Sequence, residues 1–358
     1  MTQQKSILTI LGARPQFIKA AVVSKELRAR GRIREILVHT GQHYDANMSD
    51  VFFEELGIPS PDYNLAIGSG RHGDQTGRML IALEPIVLDA RPDAVMVYGD
   101  TNSTLAGALV AAKLDLPLIH VEAGLRSFNR AMPEEVNRVA TDALSTLLLA
   151  PTRSSAAQLR KEGVEDDRIV VTGDVMFDAA IAAAQTGVEA PAAPYFLATI
   201  HRAENTDAPD RLRWIMEVLG AVGAITSVVF PVHPRTRAAL DRLEGLTIPD
   251  CVVLKTPVGY QEMMGLVKAA RAVLTDSGGL QKEAFYLGRP IHIFRNETEW
   301  QELVDTGWAD LVRPEQTPTE AARAILARGE RPGRPCDVFG DGQAGRSIVD
   351  AIEAHLGL

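Results

Sequence analysis

The sequence predicts an α/β protein built from two successive parallel-sheet units, and three observations carry that prediction. Short aliphatic runs recur along the whole chain without apolar/polar alternation, as strands covered on both faces require. Amphipathic stretches of ~10–15 residues stand between them, the spacing of repeated βαβ units. The series then restarts after an Ala-rich stretch and a Pro/Ala connector, "MFDAAIAAAQTGVEAPAAP". A composition shift of that kind marks a domain boundary.

Taken in order, the first half reads "SILTILG" (6–12), "EILVHTG" (35–41), "DAVMVYGD" (93–100), "PLIHVEAG", "TLLLAPT" and "RIVVTGD" (168–174) as strands. Segments such as "QFIKAAVVSKELRAR", "RMLIALEPIVLDA", "TLAGALVAAKL" and "VNRVATDALS" are the helices between them. In the second half "YFLATIH" (195–201), "SVVFPVHP" (227–234), "CVVLKTP" (251–257), "AVLTDSGG" (272–279), "PIHIFR" (290–295) and "ADLVRP" (309–314) repeat the pattern.

With 358 residues, 46% of them hydrophobic, the chain can bury two cores. A net charge of -9 and a pI near 5.5 argue against nucleic acid or an anionic membrane as the main partner. An anionic ligand must therefore be held by a local site. Cys251 and Cys336 form no ligand or redox pattern and suggest a reducing compartment. The apolar run of "MTQQKSILTILGARP" is too short for a signal peptide, and no stretch reaches the ~20 apolar residues of a membrane span. A cytoplasmic protein is expected.

Ligands of open α/β sheets sit beyond the carboxyl ends of strands, so the residues there are the candidates for a site. "GARPQFIK" places Arg14 at a helix start and Lys19 one turn in, which suits a phosphate; a turn with two solvated cations explains them equally well. Asp100 follows a strand, where an N-cap is the plain alternative. Glu122 also follows a strand, but Gly124 and Leu125 do not open a helix. Glu134 and Glu135 fall in the first turn of a helix begun by Pro133, which the dipole favours without further role. Three acids on neighbouring strand ends, with no metal pattern around them, read as proton-transfer groups or sugar-hydroxyl acceptors. Arg126 and Arg130 lie between them and would hold the acids or balance their charge. In the second half His201 and Arg202 end a strand, and "PVHPRTR" adds His233, Arg235 and Arg237. In "LTDSGGLQKEA", Ser277, Gly278 and Gly279 form a side-chain-poor helix start that can cradle a pyrophosphate, with Glu283 one turn further in.

These segments, with "HTGQHYDANMS", "VYGDTNSTLAG", "HVEAGLRS", "MPEEVNR", "HRAEN", "RNETEW" and "GDGQA", resemble the non-hydrolysing UDP-N-acetylglucosamine 2-epimerases over nearly the whole chain. The resemblance implies a GT-B fold: two Rossmann-like domains with the active site in the cleft between them. The first would span 1–173 with the returning helix of 344–358, and the second, binding UDP, 174–343. It further implies that Asp100, Glu122 and Glu134 handle protons at C2, with His201 approaching from the second domain. Arg14 and Lys19 would face the phosphates and acids, Ser277–Gly279 the pyrophosphate, Glu283 the ribose, and residues 257–264 the uracil. Arg126 and His233 are placed among the substrate-binding residues. The implied activity is conversion of UDP-GlcNAc to UDP-ManNAc without metal or cofactor, in a cytoplasmic homodimer.

Departures point to a branch. The chain has "GARPQ" where many members read "GTRPE", and "NETEW" where they read "TTERPE". That variant resembles enzymes acting on UDP-2,3-diacetamido-2,3-dideoxyglucuronate for bacterial O-antigen synthesis. Gln42-His43-Tyr44 replaces the "QHR" segment beside which an activating second substrate binds. A GT-B glycosyltransferase is the rival class, since it would use the same nucleotide cradle.

Overall fold

The computed structural model describes residues 4–42, 58–185, 191–328 and 337–358. Two compact units emerge: residues 1–179 with 337–358, and residues 180–336. Cys336, His43 and Tyr44 lie outside the described residues.

The first unit is built on strands β1 (Lys5–Leu11), β2 (Ile33–His39), β3 (Tyr63–Asn64), β4 (Ala94–Tyr98), β5 (Leu118–Val121), β6 (Leu147–Ala150) and β7 (Ile169–Val171). They form one sheet in the order β3-β2-β1-β4-β5-β6-β7, and every pairing in it is parallel. Ile7 and Leu11 face a core shared with Phe17, Ile348 and Ile352, whereas Leu8 and Ile10 face Met79, Leu83 and Ala106 on the other side. Both faces are covered, so the strands need not alternate. The helix Asn102–Lys113 packs so closely that a Cβ on Gly107 would lie 2.7 Å from Cδ1 of Ile10.

The C-terminal helix Ala344–His355 joins this unit against the helix Arg14–Arg30. Asp178 accepts the backbone N–H groups of Ala344 and Gly345 at 3.0 and 2.9 Å, which satisfies two donors at the helix start. Arg30 reaches Asp350 at 2.6 Å, and Arg32 reaches Glu353 at 2.8 Å. Between these ties Ile348, Val349 and Ile352 are fully buried.

The second unit contains β8 (Phe196–Thr199), β9 (Val228–Pro231), β10 (Val252–Lys255), β11 (Val273–Thr275), β12 (Ile291–Ile293) and β13 (Ala309–Leu311). Their order is β10-β9-β8-β11-β12-β13, again all parallel. Its core gathers Phe230, Leu274, Phe294 and Ile325.

Each strand read from the sequence is present. β3 is an addition, its two residues being too few to carry a periodicity in the sequence. In both sheets the chain order reverses beside the first strand, between β1 and β4 and between β8 and β11. Loops leaving such a pair diverge and open a crevice at the carboxyl ends. Among the described residues no helix is long and apolar enough to cross a membrane.

Removing the buried side chain of Ile348 tests the role of the returning helix. Ile348→Ala should lower stability by about 2–5 kcal/mol, read as a lower urea midpoint for the unfolding of the first unit.

Candidate active site

At the carboxyl end of β1 the chain must turn without side-chain bulk. A Cβ on Gly12 would fall 2.0 Å from Oγ of Ser103 and 2.3 Å from Oγ1 of Thr40, so no larger residue fits. Gln16, 1% exposed, secures this turn to β4. Its Oε1 accepts from the N–H groups of Gly12 (2.8 Å) and Ala13 (3.1 Å), while its Nε2 donates to the Tyr98 carbonyl (2.7 Å) and the Thr101 and Thr104 hydroxyls (both 3.0 Å). Gln42 plays a similar part, accepting from the N–H and hydroxyl of Ser103 at 2.9 and 2.7 Å. The sequence gives Gln16 no role and marks Gln42 only within the segment that replaces "QHR"; nothing in a sequence shows that an amide will be buried.

Lys19 and Glu122 meet in an ion pair, with side-chain exposures of 10% and 12%. Glu122 has φ of 75°, a left-handed conformation that a residue with a Cβ adopts at a cost. Its backbone is held there by its N–H to the Leu149 carbonyl at 3.1 Å. Opposite stands Gly99, also left-handed, whose missing Cβ would lie 3.3 Å from Oε2 of Glu122 and 3.6 Å from Nζ of Lys19. Asp100 comes next, its Oδ2 taking two N–H groups of Arg138 at 2.9 and 2.6 Å. Arg14 is exposed at the first position of its helix, beside Gly12 and Ala13.

The two adjacent glutamates of the helix Pro133–Leu144 have separate fates. Glu135 is 1% exposed and accepts from the N–H groups of Ser127 (2.8 Å) and Phe128 (2.9 Å), fixing the loop after β5. Burial alone would raise its carboxyl; those N–H groups and Arg138 outweigh it and hold the group below the usual range. Glu134 is exposed and has no partner among the described residues. Glu122 is thus paired with Lys19 and Asp100 with Arg138, while Glu134 stands at the helix start as an unpaired carboxylate among the described residues.

Arg126 goes elsewhere. Its side chain is 2% exposed and bonds Asp142 at 2.7 Å and Glu162 at 2.6 Å, with neither Glu122 nor Glu134 in its reach of bonds. The expectation that it holds those acids is corrected: Lys19 balances Glu122, and Arg126 pairs with Asp142 and Glu162. Asp142 also binds Nδ1 of His120 at 2.6 Å, and Nε2 of His120 meets the Gly99 carbonyl at 2.8 Å. A chain of polar contacts therefore runs from Glu162 to the Gly99 turn. Burial alone would raise the Asp142 carboxyl, but the charges and hydrogen bonds of His120 and Arg126 hold it below its ordinary value. Arg130 is exposed and unpaired among the described residues.

In the second unit Asp276, fully buried, ties the ends of β8 and β11 together. It accepts the N–H of His201 (3.0 Å), the N–H of Arg202 (2.9 Å) and Nδ2 of Asn205 (2.9 Å). His201 lies against His233, ring centroids 5.7 Å apart. Burial lowers the His201 pKa, aided by His233 and Arg202 and opposed by Asp276. The imidazole is therefore neutral near pH 7. His233 is exposed and caps its helix through Nδ1, which accepts the Arg235 N–H at 3.2 Å. Arg235 pairs with Asp207 at 2.5 Å.

Ser277 caps the helix Gly278–Tyr286, its Oγ accepting the Leu280 N–H at 3.4 Å. Around a Cβ position on Gly278 lie Oε2 of Glu299 at 3.4 Å and Nη2 of Arg202 at 3.5 Å, and these two side chains pair at 3.2 Å. Among the described residues outside its own helix and chain neighbours, nothing lies within 4 Å of the corresponding point on Gly279. Trp300 donates its Nε1–H to the Gly278 carbonyl at 2.9 Å. Glu283 follows on the same helix, half-buried. Among the described residues no three His, Cys, Asp or Glu side chains are grouped to hold a metal.

The family model described as UDP-N-acetylglucosamine 2-epimerase matches residues 25–353. The chain belongs to that family. A relative from Pseudomonas aeruginosa, named UDP-2,3-diacetamido-2,3-dideoxy-D-glucuronate 2-epimerase, is 51% identical over 97% of this chain and 99% of its own. The UDP-N-acetylglucosamine 2-epimerase of Methanocaldococcus jannaschii is 43% identical over 95% of this chain and 96% of its own. A crystal structure of the enzyme from M. jannaschii, with UDP-GlcNAc and UDP, superposes with a TM-score of 0.78 at 40% identity. That match covers 98% of this chain and all of the other. The two parallel-sheet units are thus those of the GT-B 2-epimerases, and the chain is an epimerase.

For this epimerase the Arg126–Asp142–His120 network should be indispensable to the fold around Gly99. Asp142→Asn leaves the buried Arg126 with Glu162 alone as counter-charge and should cost about 3 kcal/mol at neutral pH, the low end for breaking a buried pair. Because the folded carboxyl titrates below its unfolded value near 3.9, its contribution is complete above that pH and is lost as pH falls through the folded value. Denaturation curves of wild type and variant should therefore differ most near neutrality and converge in acid.

Proposed function

We propose that this epimerase inverts C2 of a UDP-2-acetamido sugar, converting UDP-GlcNAc to UDP-ManNAc, by elimination and re-addition of UDP. The observation that carries the reading is the Lys19–Glu122 pair beside Asp100 at the switch point of the first sheet. The C2 hydrogen is not acidic, so its removal must accompany rupture of the C1–O bond. A carboxylate takes the proton, the C2–H electrons form the C1=C2 double bond, and UDP leaves with the C1–O pair. The resulting 2-acetamidoglucal re-adds UDP at C1 while a proton reaches C2 from the opposite face.

Asp100, Glu122 and Glu134 handle the two proton transfers in this reading, and Lys19 steadies the charge on Glu122. Arg14, the amides of Ser277–Gly279 and the dipole of their helix stabilise the departing diphosphate. Neutral His201 contacts the substrate, with His233 beside it. Glu283 accepts from the ribose, and the segment 257–264 meets the uracil. The reading includes a cytoplasmic homodimer, which the cysteine usage and the family resemblance support.

The 51% identity to the P. aeruginosa enzyme favours a second reading, the same chemistry on UDP-2,3-diacetamido-2,3-dideoxyglucuronate. Proton NMR with each nucleotide in heavy water, without any acceptor, distinguishes them. The true substrate gives a C2 diastereomer carrying deuterium at C2. Protium retained there rules out the elimination route, and no turnover without an acceptor favours a glycosyltransferase. Glu122→Gln should lower turnover by at least about 100-fold while calorimetry shows UDP binding little changed.

A further inference from the structure

The segment "PEEVNR" (133–138) contains two residues to which the proposed chemistry gives no work, Glu135 and Arg138. Arg138 bridges Glu135 to Asp100. Arg138 directs Nε and Nη2 to the same oxygen, Oδ2, at 2.9 and 2.6 Å, and Nη1 to Oε2 of Glu135 at 2.9 Å. Asn137, next in the chain, donates from Nδ2 to the backbone carbonyl of Asp100 at 2.8 Å. One helix turn therefore grips Asp100 by main chain and side chain at once. The grip is anchored, because Glu135 is itself fixed by Ser127 and Phe128. Oδ1 of Asp100 has no partner among the described residues, and the side chain is 31% exposed.

We propose that Arg138 is a positioning residue for Asp100: it occupies Oδ2 and leaves Oδ1 as the oxygen that meets the sugar. The proposal rests on the reading of Asp100 as a proton-handling acid. An aspartate carboxylate otherwise rotates in a broad two-fold well, so either oxygen would present itself. A guanidinium that donates twice to one oxygen and once to a fixed glutamate removes that freedom. Lysine, with one nitrogen, cannot span both acids in that geometry. Placing two carboxylates on one guanidinium is poor design for stability alone, since the acids repel each other. It is good design for holding one reactive oxygen in place.

The test uses the full chain, its NMR turnover with UDP-GlcNAc and with the diacetamido-uronate nucleotide, and UDP calorimetry. Arg138→Ala should lower kcat about 100-fold, the scale of a misplaced catalytic group, with KM and UDP affinity little changed. Millimolar guanidinium chloride should restore part of that rate saturably, whereas equal sodium chloride should not. Arg138→Lys, which keeps charge without the fork, should lose most of the rate as well. In an Asp100→Asn background, Arg138→Ala should cost nothing further. Retained kcat in Arg138→Ala overturns the proposal, as does a loss that guanidinium leaves unrecovered and that adds to Asp100→Asn. Full turnover by Asp100→Asn alone overturns the underlying reading of Asp100 instead.

Discussion

The ion pair between Lys19 and Glu122 is the interaction on which the rest of the first unit's site is arranged. Both side chains are largely withdrawn from water, and such pairs repay their desolvation poorly. Glu122 also holds a left-handed backbone, a second cost at the same residue. A fold selected for stability alone would place an apolar pair there. The surroundings are shaped to keep this one: Gly99 supplies the space, Gln16 fixes the turn before Lys19, and the Leu149 carbonyl fixes the backbone of Glu122.

A chain with net charge -9 must manage its acids before it can bind an anion. It does so by surrounding the carboxylates near the strand ends with donors, some of them shared. Glu122 has Lys19, Asp100 has Arg138, Asp142 has Arg126 and His120, and Glu135 has two backbone amides as well as Arg138. Asp276 uses backbone amides and Asn205. Local neutralisation of this kind makes the overall charge a weak guide to what a crevice accepts. It also divides the acids into those consumed by structure, such as Asp142 and Asp276, and those left with a free oxygen, such as Asp100.

The strand-end rule explains why the candidate residues could be picked out from the sequence. Arg14, Lys19, Asp100, Glu122, His201 and Ser277 all lie just beyond β1, β4, β5, β8 or β11, the strands at and beside the reversals of chain order. The supporting residues were not legible. Gln16, Gln42, His120, Asp142 and Arg138 are ordinary polar residues whose meaning depends on partners tens of residues away, 82 for Gln16 with Tyr98.

The sequence by itself determined that this is a pair of parallel-sheet units with charged residues at the sheet ends. That follows because strand and helix periods, and glycine or proline at turns, are local properties of the chain. Only the tertiary structure decided which charge answers which. Glu134 and Glu135 are neighbours in sequence but lie about 100° apart around a helix, so one is buried against a loop and the other faces water. Arg126 is four residues from Glu122 yet pairs with Asp142 and Glu162, while Lys19 reaches Glu122 across 103 residues. Partnership between ions is set by where β1, β4 and β5 end in space, and no spacing along the chain encodes that.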